Sequence, residues 1–172
     1  MKRAKTMLTA TAVAALVLTA AQPAAAELRR GEKSFGPKVG YVSRNRSVAA
    51  GLQFEYAFSR HVRIAPDVNI AFRNNDTDAL AIGIDVHFPF SLATADRVAV
   101  YPLAGASYTS WSFHGVEEEK DVTTHANRFG VDAGAGVEFR VTSSIKLSAE
   151  GKYIFMKDYG TAFVTARIAY VF

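Results

Sequence analysis

From Val62 to Arg73 the chain reads V-R-I-A-P-D-V-N-I-A-F-R, and its two parities differ completely in chemistry. Val62, Ile64, Pro66, Val68, Ile70 and Phe72 alternate with Arg63, Ala65, Asp67, Asn69, Ala71 and Arg73. A strand sends successive side chains to opposite faces, so this run is a strand with one apolar and one charged face. The pattern recurs to the last residue, and no helix-period segment follows Glu27. Eight alternating segments result, at 35–42, 48–58, 62–73, 80–90, 98–110, 129–141, 145–155 and 162–172. The parity of the fifth is the least sharp, because Tyr101 and Leu103 are apolar on its otherwise small and polar side.

Alternation alone does not say which face meets the interior, since a soluble antiparallel sheet alternates too. Three features choose lipid for the apolar face. Most of the segments are long, near the 9 to 11 residues of a tilted membrane strand rather than the five or six usual in soluble sheets. The connections alternate in length: 59–60 and 142–144 are tight, 74–78 is longer and 112–126 longest, as short periplasmic turns and long outer loops require. The first outer connection, 44–46, and the inner one, 91–96, obey that rule poorly. Aromatic residues gather at strand ends. Phe58, Phe88 and Phe139 stand with Phe35, Tyr56, Phe90, Tyr170 and Phe172 at the inner edge. Tyr41, Phe72, Tyr108, Phe129, Tyr153 and Phe155 stand at the outer edge, extended by Trp111 and Phe113. Two water–lipid interfaces select for two such girdles around an aliphatic band.

The N-terminal residues belong to a different category. Lys2, Arg3 and Lys5 precede an apolar stretch from Met7 to Ala20, and Ala24-Ala25-Ala26 offers a small-residue cleavage signal. Residues 1–26 therefore read as a cleaved secretory signal peptide and 27–172 as the mature domain. The sequence holds 20 basic and 16 acidic residues. Three of the basic ones leave with the signal, so the mature chain is nearly neutral and offers no basic stripe for nucleic acid. With no cysteine, disulfides, thiolate metal sites and a lipid anchor on cysteine are excluded.

Specific segments resemble the small outer-membrane barrels of Gram-negative bacteria, the OmpA/OmpX-type and opacity-like group called the porin family. They are Tyr101-Pro102-Leu103-Ala104-Gly105-Ala106-Ser107-Tyr108, then Gly134-Ala135-Gly136-Val137-Glu138-Phe139-Arg140, and the ending Arg167-Ile168-Ala169-Tyr170-Val171-Phe172. The resemblance implies an all-β, eight-stranded antiparallel up-and-down transmembrane barrel in the cell outer membrane. It also implies that Tyr170 and Phe172 form the terminal signal read by the barrel assembly machinery. Outer-membrane lipids and lipopolysaccharide are then the expected surroundings, with an extracellular or host partner open.

In an eight-stranded barrel the interior is only wide enough for side chains. The charged face supplies Lys38, Arg63, Arg73, Arg140, Lys146, Lys152 and Arg167 against Glu55, Asp67, Asp85, Asp132, Glu138 and Glu150. Unpaired buried charge is costly, so these groups are expected to pair into a network that fills the lumen. Glu150 with Arg167, Glu138 with Lys146 and Lys38 with Glu55 are the adjacent-strand pairs expected. His87 reads as a hydrogen-bonding lumen residue and His61 as a turn residue. The outer segment holds Ser110, Ser112, His114, His125 and Asn127 beside Glu117-Glu118-Glu119, residue types found in lipid A-modifying barrels but also in ordinary loops. The favoured expectation is a non-enzymatic barrel with no cofactor or metal, serving envelope structure or surface interaction. A narrow ion channel is the alternative, with a lipid A-modifying enzyme behind it. A soluble ligand-binding barrel would need the two faces reversed.

Overall fold

The computed structural model describes residues 29–92, 97–117 and 120–172; the expected signal segment, 1–26, lies outside them. Eight long strands make up the fold: β1 Lys33–Val42, β2 Ser47–Ala57, β3 Arg63–Asn74, β4 Thr77–His87, β6 Val98–Glu117, β7 Lys120–Arg140, β8 Ile145–Met156 and β9 Thr161–Val171. Between them β5, Phe90–Ser91, is a two-residue strand beside the start of β6. Each long strand is antiparallel to the next, β4 pairs directly with β6, and β1 pairs with β9. The ring of eight long strands is therefore closed, as a sheet in hydrocarbon needs.

The opening strand behaves as its alternation predicts. Arg63, Ala65, Asp67, Asn69 and Ala71 are buried, while Val68, Ile70 and Phe72 are exposed on the outer wall. The other strands follow: Val39, Leu52, Ile82, Ile84, Val131, Val164 and Ile168 all face outward. β6 takes the parity given to it, with Val100, Pro102 and Ala104 outside and Ala99, Tyr101 and Leu103 inside. The reversed arrangement of a soluble ligand-binding barrel is thereby excluded.

Both girdles point outward. Tyr41, Phe58, Phe72, Phe88, Tyr153, Phe155, Tyr170 and Phe172 are exposed, Phe129 is 80% exposed, and Tyr108 and Phe139 are partly exposed. Within them Tyr108 meets Phe129 at 4.9 Å and Tyr153 meets Phe155 at 4.7 Å between ring centroids. Trp111 departs from this group. It shares the parity of Tyr101 and Thr109, so it turns inward and is 1% exposed.

Two connections differ from expectation. Residues 112–126, read as a loop, continue the β6–β7 ladder through Phe113↔Thr124 to Glu117↔Lys120. Above Thr77↔Phe113 on one side and Gly130↔Met156 on the other, this hairpin has no further strand neighbours. The stretch 120–129 alone is roughly 33 Å of strand at about 3.3 Å per residue. The acidic run 117–121 sits at its tip, and positions 118 and 119 lie outside the described residues. The connection 74–78 is a two-residue turn. Asn75 and Asp76 both have positive φ, 49° and 55°, the mirror-image geometry that suits the twist of a hairpin.

Candidate functional site

Inward-facing side chains of all eight long strands meet in the lumen, in two charged storeys below an apolar one. Glu55 of β2 is the hub of the inner storey. Its Oε2 accepts from Lys146 Nζ at 2.5 Å and from Ser34 Oγ at 2.8 Å. Its Oε1 faces Arg167 at 2.7 Å and Arg63 at 3.4 Å. Arg63 also donates to Glu138 at 2.6 Å, and Lys146 reaches the same carboxylate at 3.2 Å. These contacts tie β2 and β3 to β7, β8 and β9 across the barrel.

The next storey is centred on Lys152. Its ammonium lies 2.7 Å from Asp85, 3.0 Å from Asp132 and 3.7 Å from Asp67. Lys38 bonds Asp67 and donates to Gln53 at 3.3 Å. Ser107 donates to Asp132 at 2.8 Å. Above this storey Val42, Ala49, Ala71, Ala79, Trp111, Ile154, Met156 and Phe163 form an apolar cluster, with Tyr159 packed against it. The Arg44 guanidinium lies 4.3 Å and that of Arg128 4.8 Å from the Tyr159 ring centre, closing the outer mouth with cation–π contacts. Between Lys152 and Trp111 is a cavity of about 40 Å³, room for a water molecule or so rather than a path.

Two glycines make the packing possible. A Cβ on Gly136 would lie 2.3 Å from the Tyr101 ring, and one on Gly105 would meet the Asp85 carboxylate. Tyr101 thereby lies flat in the lumen, stacked on His87 at 4.7 Å and 13° and covered by the Arg63 guanidinium at 4.7 Å. Its hydroxyl donates to Glu150 at 3.2 Å.

Of the thirteen charged residues expected inside, Lys38, Glu55, Arg63, Asp67, Asp85, Asp132, Glu138, Arg140, Lys146, Glu150, Lys152 and Arg167 are buried. Arg73 is the correction. β3 runs past the rim and its pairing with β4 shifts register between Ala71 and Asn74, so the Arg73 side chain is 55% exposed and pairs with Asp76. Arg140 is paired with Glu32 at 2.6 Å, just before β1. Only one of the three expected pairs forms, Glu138–Lys146. Lys38 bonds Asp67 rather than Glu55, because Glu55 lies opposite Ser34 and Lys38 lies opposite Gly51. Arg167 lies opposite Ser148, to which it donates at 3.3 Å, and takes Glu55 instead of Glu150. With Arg140 and Glu32 set aside as a pair, six lumen carboxylates face five cations. Glu150 is the one left with a neutral donor, Tyr101.

The exposed hairpin brings a second group together. His114 Nε2 meets Asp78 Oδ1 at 2.5 Å, and its Nδ1 meets Thr123 Oγ1 at 3.2 Å. Ser112 Oγ and His125 Nδ1 are 3.3 Å apart two rungs below. A carboxylate–imidazole–hydroxyl chain has the order needed for nucleophilic catalysis, but acyl transfer also needs N–H donors aimed at an oxyanion. One backbone donor here, the His114 N–H, is taken up by Asp76 O. The contacts instead fasten the hairpin to the β3–β4 turn.

Residues 11–172 match the outer membrane protein beta-barrel domain family. No curated protein matches the chain in sequence. Among solved structures, the fold is similar to Neisserial surface protein A, at 16% identity over 81% of this chain and 95% of that one, with a TM-score of 0.63. It is also similar to the N-terminal barrel domain of OprF from Pseudomonas aeruginosa, at 11% identity, 83% and 98% coverage and a TM-score of 0.62. The attachment invasion locus protein Ail of Yersinia pestis aligns at 17% identity over 84% and 100%, with a TM-score of 0.61.

Proposed function

The chain belongs to the outer membrane protein beta-barrel domain family, and from that membership, which implies an outer-membrane location, we propose a non-enzymatic barrel that works through its outer surface and conducts no ions. The observation that carries this reading is the filled lumen. Two storeys of bonded charge and an apolar cluster stand in series along the lumen. Opening a route through it means separating several buried ion pairs at once, each costing about 3–5 kcal/mol when one partner is lost.

The surface suited to contact is the β6–β7 hairpin, which projects beyond the other strands with Ser112, His114, Thr123 and His125 on its flank. The name of Ail, a protein of attachment and invasion, fits a barrel whose outer surface does the work. In this reading lipopolysaccharide and outer-membrane lipids surround the wall, and the barrel assembly machinery inserts the chain through its Tyr170 and Phe172 ending. Planar-bilayer recording tests it: the purified barrel is expected to show no stable open state. A steady, high single-channel conductance overturns the proposal and favours a pore.

A further inference from the structure

Asp85 and His87, two residues apart on β4, share its inward face, and Glu150 reaches toward them from β8. One ligand atom from each of the three lies within 4.8 Å of the others, and all three side chains are buried. Two buried polar atoms of these residues are unsatisfied. His87, 0% exposed, has its Nε2 directed at Glu150 Oε2 across 3.8 Å with no hydrogen-bond partner, and Asp85 Oδ1 also has none. A buried donor or acceptor left in this way is costly and calls for an occupant. Charge points the same way. Arg63 Nε donates to His87 Nδ1 at 3.1 Å, so that nitrogen carries no proton and the ring is neutral. His87 therefore does not cancel the surplus carboxylate, Glu150.

The geometry points to a site for one divalent transition-metal ion of the zinc class, held by Asp85, His87 and Glu150. An imidazole nitrogen with two carboxylates suits such ions, and with no cysteine in the chain a thiolate-seeking ion has no ligand here. Ligand atoms about 2.1 Å from a metal stand roughly 3.4 Å from one another, so the three groups need to close by ~1 Å. The surrounding contacts already orient them. Lys152 holds the other oxygen of Asp85 at 2.7 Å while sharing its charge with Asp132, and Tyr101 holds Glu150. Binding through Nε2 moves the imidazole proton to Nδ1, so the Arg63 Nε–H must give up its bond to that nitrogen and turn aside while Arg63 keeps its 2.6 Å bond to Glu138. Glu55 Oε1, 3.8 Å from Nδ1, then takes the new N–H, and no proton leaves the ring. His87 is the last residue of β4, in the periplasmic half of the barrel, so the ion reaches the site from that side or during folding.

The test uses the full barrel, folded in detergent without a histidine tag and titrated with Co²⁺. Expected are one bound ion per chain, visible ligand-field absorption, and line broadening of the His87 ring protons in NMR. His87→Gln and Glu150→Gln are each expected to weaken binding on the order of tenfold or more, whereas His114→Gln and His125→Gln leave it unchanged. Absence of a stoichiometric ion overturns the proposal. So does broadening confined to His114 or His125, a readout that needs no variant to fold, or an affinity unaltered by His87→Gln.

Discussion

The lumen hub shows what one residue carries. Glu55 is the shared anion for Lys146, Arg63 and Arg167, and replacing it leaves three buried cations near one another. Glu55→Ala is expected to destabilise the barrel by about 3–5 kcal/mol. Arg73→Ala, which removes an exposed i,i+3 pair with Asp76, is expected to change it by less than about 1 kcal/mol. Urea unfolding in lipid vesicles measures both; equal effects contradict the account. Gly136→Val drives a side chain into Tyr101 and is expected to lower the same midpoint by an amount comparable to core overpacking, about 1–3 kcal/mol. At this scale the sequence is informative about faces and silent about partners. Alternation places Lys38 and Glu55 inside, but only the register puts Lys38 opposite Gly51, and only the curvature of the wall brings it to Asp67. The juxtaposition of Asp85 and His87 with Glu150 is hidden for the same reason. The i,i+2 spacing on β4 is visible, but the third ligand comes from a strand that is not adjacent.

Among the elements, the β6–β7 hairpin departs furthest from its sequence. Strand character fades to the eye after Tyr108 because beyond the lipid both faces meet water and polar residues fill both parities. The ladder nevertheless continues for another nine rungs to Glu117↔Lys120. Trp111 and Phe113 carry the one signal of this continuation. They hold the inward parity of β6, so they belong under Tyr159 rather than in the outer girdle. Among the described residues, 114–117 and 120–123 pair only within the hairpin, apart from the His114 contacts to Asp76 and Asp78, so removing the stretch leaves the closed ring intact. A barrel with 114–123 replaced by Asn-Gly is expected to insert and to unfold within about 1 kcal/mol of the parent, because solvent-exposed strand contributes little. Heat-modifiable gel migration together with urea unfolding reads this; failure to insert shows that the hairpin is needed to build the barrel.

For the whole molecule, the sidedness seen in Val62 to Arg73 sets both where the barrel sits and what it is filled with. Soluble and membrane barrels share alternation, and they differ in which face tolerates charge. Ile84 makes this measurable. It points outward from the middle of β4, between Pro66 and Ala106 on neighbouring strands, and is 49% exposed. In water, an arginine at an exposed strand position changes stability by about half a kcal/mol. At the bilayer midplane the same side chain loses its hydration and costs about 2–4 kcal/mol, falling to about 0–1 near the interface. Ile84→Arg is therefore expected to lower the unfolding free energy in vesicles by about 2–4 kcal/mol. Leu80→Arg, four residues nearer the outer rim, is expected to cost clearly less. A flat response at both positions means that the apolar wall does not meet hydrocarbon. The filled lumen would then be the polar interior of a different kind of barrel.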